Sequence, residues 1–119
     1  MQCKKLIVMI KIFESYSLLP HNTFGIEAKA KTFVEFSSVD ELCSFIGSGI
    51  ETPSLVIGGG SNLLFVNDFD GIVFHSAIYG IDVVAEDEND ILLRVGSGVN
   101  WDELVAYTVA NGWYGLENL

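Results

Sequence analysis

The sequence predicts a mixed α/β fold in which a βαβ segment is followed by an antiparallel region. A β-forming run, a helix-capping signal and a short apolar run succeed one another between Lys31 and Ile57. Two further apolar runs flank an acidic loop at residues 86–90, as the strands of a hairpin do. Half of the 119 residues are apolar and 18% are charged, so the chain has enough apolar surface to form a core.

The first predicted elements are a strand and a helix. Residues 31–36 are rich in β-branched and aromatic side chains, which favours a strand. Ser38 and Glu41 have the spacing of a capping box, and apolar residues then recur at helical intervals. The pattern predicts a helix over residues 39–48, ended by a pair of glycines. Cys43 falls within this apolar pattern, and we expect it to be a small buried side chain and not a nucleophile.

A second strand is expected after this helix. Residues 54–57 form a short apolar run typical of strands that are buried on both faces of a sheet. With the preceding strand and helix this run makes a βαβ unit, whose two strands we expect to pair in parallel. Residues 63–66 then continue in a strand-like pattern, residues 67–71 resemble a turn, and residues 72–74 form a further candidate strand.

The second half of the chain predicts an antiparallel hairpin and a helix. Residues 81–85 and 91–95 are its two candidate strands, joined by the acidic loop. Asn100 can cap a helix over residues 101–110, which has two acidic residues in its first turn. The expected buried stripe of this helix consists of Trp101, Leu104, Val105 and Val109.

The distribution of charge restricts the possible ligands. Six basic residues stand against sixteen acidic ones, giving a net charge of −10, and Arg94 is the only basic residue after Lys31. Such a surface repels a phosphate backbone, so we expect no nucleic-acid partner. A phosphorylated ligand would have to be held by backbone N–H groups. The two cysteines and two histidines lack the spacing of metal ligands, so we expect no metal.

The N-terminal residues resemble neither a signal peptide nor a membrane anchor. Lys11 interrupts the apolar run at residues 6–10, and no small-residue cleavage site follows it. A membrane-spanning helix needs about 20 predominantly apolar residues, and no stretch of the chain qualifies. We therefore expect a cytoplasmic protein with no membrane partner. Met9 could equally be the first residue of the protein.

The most informative segment is the glycine loop, residues 58–62, which directly follows the second predicted strand. It consists of Gly58, Gly59, Gly60, Ser61 and Asn62. Glycines leave the backbone uncovered and reach positive φ, so successive N–H groups can hold a pyrophosphate without cations. The hydroxyl and amide that end the loop could reach phosphate or ribose, although a plain turn is the alternative. The loop lacks the lysine of a P-loop, and Leu63 replaces the last glycine of the dinucleotide-binding fingerprint.

Four short motifs occur along the chain in a fixed order. They are PHNTFG at residues 20–25, GGGSNLL at 58–64, GSGVNW at 96–101 and GLENL at 115–119. Together they resemble the UDP-N-acetylenolpyruvoylglucosamine reductase family, also called UDP-N-acetylmuramate dehydrogenase, which acts in bacterial cell-wall synthesis. The resemblance implies the FAD-binding fold of the vanillyl-alcohol oxidase group, of which this chain would be a truncated N-terminal part.

The resemblance also implies a domain organisation. It covers residues 17–119, so residues 1–16 are expected to be an N-terminal extension. The change from βαβ to antiparallel structure near Gly71 divides the remainder. Residues 17–70 would form a βαβ subdomain with the glycine loop, and residues 71–119 the start of a second subdomain.

The resemblance places the FAD pyrophosphate on the backbone of the glycine loop, with contacts that extend to Leu63. Asn22 and Thr23 would lie near the cofactor or brace the loop. Flavin oxidases of this fold often bind FAD covalently through a histidine in or beside the loop. No histidine or cysteine is near the loop in sequence, so non-covalent FAD is expected, and His75 is expected to be structural.

The reaction implied by the resemblance is the NADPH-dependent reduction of UDP-N-acetylglucosamine enolpyruvate to UDP-N-acetylmuramate. This step belongs to peptidoglycan biosynthesis and so to cell shape and cell division. The arginine, glutamate and serine that the family uses lie downstream of residue 119, so we expect no catalytic residue in this chain and no turnover by it alone. Another FAD-dependent oxidoreductase of the same fold, or a non-catalytic flavin- or nucleotide-binding module, is the alternative.

Overall fold

The computed structural model describes residues 10–47, 49–50 and 52–119. The chain divides into two compact units, Met1–Ser76 and Ala77–Leu119. The suggested start at Met9 and the interpretation of the first nine residues lie outside the described residues. Within the described part, no helix combines the length and the apolar character needed to cross a membrane.

The first unit is built on a four-stranded sheet. Its strands are β1 (Lys11–Ser17), β2 (Lys29–Phe36), β3 (Ser54–Ile57) and β4 (Phe69–Ser76). They lie in the order β1-β2-β4-β3, with β1 antiparallel to β2 and the other two pairs parallel. Residues 11–16, which were expected to lie in an extension, therefore form most of an edge strand of the sheet.

The prediction that β2 and β3 pair directly is wrong, because β4 lies between them. Val73 of β4 is in register with Phe33 of β2 on one side and with Leu55 of β3 on the other. β4, like β2, has buried side chains on both faces, Val73 and Phe74, and takes an interior position. Burial of β3 on both faces is also wrong, since it is an edge strand whose Val56 is 72% exposed.

Helix α1 (Val39–Ile46) connects β2 to β3, and its predicted capping box is confirmed. The Ser38 Oγ accepts a hydrogen bond from the backbone N–H of Glu41 at 3.1 Å. The Glu41 carboxylate accepts in turn from the backbone N–H of Ser38 at 3.2 Å. The helix ends at Ile46, with Gly47 as its C-cap, and residue 48 of the predicted helix lies outside the described residues.

The packing of α1 differs from the expected apolar stripe. The Phe45 ring meets the Phe74 ring edge-on, with centroids 5.7 Å apart. Glu41 is the buried residue of the helix, because its carboxylate turns back to the capping hydrogen bonds. Cys43 is exposed, so the expectation that it is a buried hydrophobe is wrong.

A hydrophobic core lies in the first unit next to the glycine loop. Its buried members are Leu18, Ala30, Phe33, Ile57 and Val73. Leu63 and Phe65 pack against this core, whereas Leu64 and Val66 are exposed. This alternation explains the strand-like pattern at residues 63–66, but the prediction is wrong, because the segment is not assigned to a strand. The expected turn at residues 67–71 is also shorter, since β4 already begins at Phe69.

The second unit begins with the predicted hairpin. Strands β5 (Ile81–Glu86) and β6 (Ile91–Val95) pair antiparallel, and the acidic loop between them is exposed. The two units divide after Ser76 and not near Gly71, because β4 continues the first sheet through residue 76.

Helix α2 (Trp101–Ala110) has the predicted bounds and cap. The Asn100 Oδ1 accepts hydrogen bonds from the backbone N–H groups of the next turn, at 2.9 Å from Asp102 and 3.4 Å from Glu103. The expected stripe is only partly correct, because Leu104 and Thr108 are the buried positions. Trp101 and Val109, expected to be buried, are 46% and 41% exposed.

Candidate functional site

The glycine loop leaves β3 at the end of the sheet where the parallel strands finish. In the parallel part of an α/β sheet, loops at the carboxyl ends of the strands are the usual ligand-binding positions. Ile57, the last residue of β3, is buried and in register with His75 near the end of β4. The loop therefore starts from a fixed point in the core and then runs outward.

Gly60 is glycine for a reason internal to the fold. Its φ is +71°, a conformation that L side chains rarely adopt. A Cβ built at this position would lie 1.8 Å from the backbone oxygen of His21 and 2.9 Å from the Cα of Asn22. The backbone of the loop is thus pressed against the backbone of residues 21–22, and no side chain fits between them.

Neither backbone conformation nor steric contact requires glycine at positions 58 and 59. Neither has a φ in the left-handed region, and a Cβ on Gly58 would meet nothing within 4 Å. A Cβ on Gly59 would make only an ordinary 3.7 Å contact with the Ser61 hydroxyl. Packing and backbone conformation would both accept alanine at these positions, so an uncovered backbone at residues 58–59 suits a ligand that approaches it closely.

The donors of the glycine loop are available to such a ligand. Within the described residues, the backbone N–H groups of residues 59–62 donate to no other protein group. The loop's hydrogen bonds to Thr23 use the carbonyl oxygens of Gly60 and Ser61 as acceptors. Free N–H groups with no side chain over them can donate to the oxygens of a pyrophosphate. An acidic chain with few cations needs such backbone donors to bind that anion.

Asn22 braces the segment that supports the loop. The side chain is buried, 7% exposed, and its Nδ2 donates to the backbone oxygens of Leu18 at 2.8 Å and Ile26 at 2.9 Å. Its Oδ1 accepts from the N–H of Ile26 at 2.9 Å. All of these partners lie in its own turn, so the bracing role is the one that the structure supports for Asn22.

Thr23 joins the braced turn to the glycine loop. Its backbone N–H donates to the Gly60 oxygen at 3.3 Å, and its hydroxyl donates to the Ser61 oxygen at 3.4 Å. The last two residues of the loop, Ser61 and Asn62, are exposed, and Leu63 is half-buried against the core. The loop is therefore anchored to the core at both ends and hydrogen-bonded to Thr23 through its carbonyl oxygens. Its N–H groups remain available to a ligand.

We expect Asn22→Asp to weaken this support. A carboxylate matches the amide in shape but cannot donate to the oxygens of Leu18 and Ile26. One buried and one partly buried acceptor therefore lose their donor and face a negative charge. The free energy of unfolding should fall by about 2–4 kcal/mol, as measured by urea denaturation. Thr23→Val is the milder control, since it removes one exposed hydrogen bond and should cost less than about 1 kcal/mol. Equal stability of Asn22→Asp and the unmodified chain would contradict the bracing role.

A histidine cluster, which sequence reasoning did not find, adjoins the support of the loop. It consists of Tyr16, His21, Glu35 and His75. The His21 and His75 ring centroids are 4.9 Å apart, and the Nδ1 of His75 lies 3.2 Å from a Glu35 oxygen. The Nε2 of His21 lies 3.3 Å from the Tyr16 hydroxyl. Burial, with the neighbouring His75, holds the pKa of His21 below its ordinary value.

Comparison with known proteins identifies the family. Residues 30–119 match the family described as FAD binding domain. The chain belongs to this family. It is 57% identical over 107 residues to the UDP-N-acetylenolpyruvoylglucosamine reductase of Bacteroides fragilis (strain YCH46), covering 89% of this chain and 32% of that protein. It is 43% identical over 114 residues to the protein of the same name from Porphyromonas gingivalis (strain W83), covering 91% and 32%.

A solved structure has a similar fold. The crystal structure of UDP-N-acetylenolpyruvylglucosamine reductase from Thermus caldophilus superposes with a TM-score of 0.63 at 24% identity. The superposition covers 93% of this chain and 37% of that one. The resemblance predicted from the four motifs and the α/β FAD-binding fold are confirmed. The chain spans about a third of the length of the relatives that it matches.

The third motif of this FAD-binding domain is structural. A Cβ on Gly96 would lie 2.3 Å from the backbone oxygen of Ile78, and the Gly96 N–H donates to Gly80 at 2.9 Å. Asn100, at the end of the motif, is occupied in capping α2. Two carboxylates in the first turn already complement the dipole of α2, so its N-terminus is a poor site for an anion.

The fourth motif and the remaining charged residues offer no comparable arrangement. The Glu117 carboxylate accepts from the backbone N–H of Gly115 at 2.8 Å, and this bond lowers its pKa. Arg94 is exposed on β6. In the described ranges, no three His, Cys, Asp or Glu side chains are grouped to hold a metal ion.

The second unit contains a cavity of about 770 Å³, lined only by residues of that unit. Its apolar wall includes Trp101, Leu104 and Trp113, and its rim carries the carboxylates of the hairpin loop, such as Asp87 and Glu88. A rim of carboxylates repels phosphate. The cavity is therefore a poor site for a phosphorylated ligand, whereas the glycine loop carries no charged side chain.

Proposed function

We propose that the glycine loop holds the pyrophosphate of non-covalently bound FAD. The observation that supports this most strongly is the pair Gly58 and Gly59, whose missing side chains serve neither packing nor backbone conformation. The free N–H groups of residues 59–62 would bind the phosphate oxygens, and the exposed Ser61 and Asn62 side chains would reach phosphate or ribose. Leu63 would position the end of the loop from the core, and Asn22 and Thr23 would support it from outside.

We further propose that this chain is the N-terminal, FAD-binding part of a peptidoglycan-precursor reductase. Its relatives carry the name UDP-N-acetylenolpyruvoylglucosamine reductase. The substrate would be UDP-N-acetylglucosamine enolpyruvate and the reductant NADPH, in the cytoplasm. Such an enzyme contributes to cell-wall synthesis and so to cell shape and division.

In such an enzyme the cofactor and the protein have different roles. Bound FAD supplies hydride transfer, and the protein orients it and excludes competing reactions. In this proposal the residues of this chain bind and orient: the glycine loop takes the anion, and the braced turn at residues 18–26 fixes the loop. None of them is proposed as the acid that protonates the product, so we expect no turnover of the enolpyruvyl substrate by these 119 residues alone.

The proposal is tested by the visible spectrum of the purified chain, recorded with and without added FAD. We expect a flavin spectrum to remain with the protein after removal of free FAD, and heat denaturation to release unmodified FAD. Release of intact FAD would also support non-covalent binding against a covalent flavin oxidase. A chain that retains no flavin, or one that mass spectrometry shows to carry a covalent adduct, would contradict the proposal.

A further inference from the structure

The segment that supports the glycine loop also carries an imidazole in an environment that disfavours a positive charge. His21 precedes Asn22 and Thr23, and its own backbone oxygen packs against Gly60. The His21 ring lies 4.8 Å from the ring of buried Phe33 and 4.9 Å from the ring of His75. Any displacement of the His21 backbone would therefore be transmitted directly to the loop.

The charged and titratable groups around His21 come from three strands. From β1 comes the Tyr16 hydroxyl, 3.3 Å from the His21 Nε2, while Lys11 of the same strand lies beside Glu35. From β2 comes Glu35, and from β4 comes His75. The glycine loop itself contributes no titratable side chain. Among the described residues, Glu35 is thus the one carboxylate that faces the cluster.

Glu35 is already shared between two other basic groups. One of its oxygens lies 3.2 Å from the His75 Nδ1 and the other 3.8 Å from the Lys11 Nζ. A proton on His21 would add another positive charge with no carboxylate of its own, beside a half-buried His75. Because the pair of rings is close and partly desolvated, the repulsion is weakly screened.

We propose that the histidine cluster makes the support of the glycine loop pH-dependent, so that protonation of His21 undocks residues 21–23 and releases the pyrophosphate of FAD. This inference rests on the proposed FAD binding. It extends that function by making tight binding of FAD depend on neutral or alkaline pH. His21 acts here as a positioning residue and not as a ligand of the phosphate.

The direction of the pH effect follows from the position of the proton. The pKa of His21 is lowered from 6.5, chiefly by burial and then by His75, although Glu35 partly opposes this. The undocked segment therefore takes up a proton more readily than the docked one. The part of the docking free energy that depends on a neutral His21 is fully present above pH 6.5 and is lost as the pH falls from 6.5 through the lowered pKa.

The test is a titration of FAD with the full chain between pH 8 and pH 5.5, followed by flavin fluorescence. We expect the Kd to rise by about threefold over this range, below the limit of about tenfold per pH unit that one coupled proton allows. His21→Gln keeps a hydrogen-bond partner for the Tyr16 hydroxyl but cannot become charged, so its Kd should be independent of pH. His75→Gln removes the repelling ring and should make the slope shallower.

A second measurement needs no cofactor and no variant. In NMR spectra of the unmodified chain, the backbone amides of Gly60 and Ser61 should shift with the same midpoint as the His21 ring, below pH 6.5. The two histidines of the chain make the ring assignment simple. A purely structural histidine would leave those amides unmoved through its titration.

The outcomes separate this inference from the function on which it rests. Tight FAD binding that is independent of pH, or that strengthens as the pH falls, would overturn the pH device but leave FAD binding intact. Retention of the slope in His21→Gln, or amides of the loop that do not follow His21, would overturn it too. Failure to bind FAD even at pH 8 would overturn the proposed function and this inference together.

Discussion

Gly60→Ala is expected to lower the free energy of unfolding by about 3 kcal/mol and to abolish measurable FAD binding. An alanine at a φ of +71° costs about 1 kcal/mol by itself. The larger cost is steric, since the new Cβ would lie 1.8 Å from the His21 oxygen and both partners are backbone atoms that cannot rotate away. The loop or the braced turn must move, and either movement disperses the N–H groups. Urea denaturation and FAD titration measure the two effects.

Gly25→Ala separates the two causes in this prediction. Its φ of +67° matches that of Gly60, but a Cβ there would meet nothing within 4 Å. It should therefore cost only the conformational part, about 1 kcal/mol. If Gly60→Ala and Gly25→Ala unfolded at the same urea concentration, close contact between the loop and residues 21–22 would not restrict position 60.

Elements specified by neighbouring residues were predictable from the sequence. The capping box of Ser38 and Glu41 and the Asn100 cap of α2 each depend on hydrogen bonds that span three residues or fewer. The hairpin of β5 and β6 likewise depends on a short polar connection between two apolar runs. Such signals need no knowledge of the rest of the chain.

Features that depend on distant partners were not predictable in the same way. The insertion of β4 between β2 and β3 is decided by the burial of Val73 and Phe74, which no local pattern reports. Residues 63–66 have the alternation of a strand but no strand partner, so their pattern reflects packing of Leu63 on the core and not a ladder.

The candidate site shows the same division. The glycine loop was recognisable because three glycines directly follow an apolar run, and in the structure the loop follows β3 as expected. The residues that support the loop were not recognisable from the sequence. Gly60 and His21 are far apart along the chain, and only the fold shows that their backbones touch. No histidine is near the loop along the chain, but the backbone of His21 contacts it in the fold.

Gly58→Ala is expected to weaken FAD binding at least tenfold while leaving the fold unchanged. A Cβ at this position would meet no protein atom within 4 Å, and the backbone conformation is open to alanine, so the free energy of unfolding should change by less than about 0.5 kcal/mol. The added methyl group would instead occupy the space above the exposed backbone where the pyrophosphate is proposed to lie. Kd values from flavin fluorescence and urea midpoints of the same preparations test both halves.

ADP provides the control that assigns the loss to the pyrophosphate. ADP carries the two phosphates and the adenosine without the flavin ring, so a methyl group over the phosphate site should weaken ADP and FAD by a similar factor. If only the affinity for FAD fell, the added methyl group would contact the flavin half of the cofactor and not the pyrophosphate. A Kd for FAD within twofold of the unmodified chain would mean that the open backbone at Gly58 receives no ligand, and the loop would then be a plain turn whose first two glycines have no function that the fold explains.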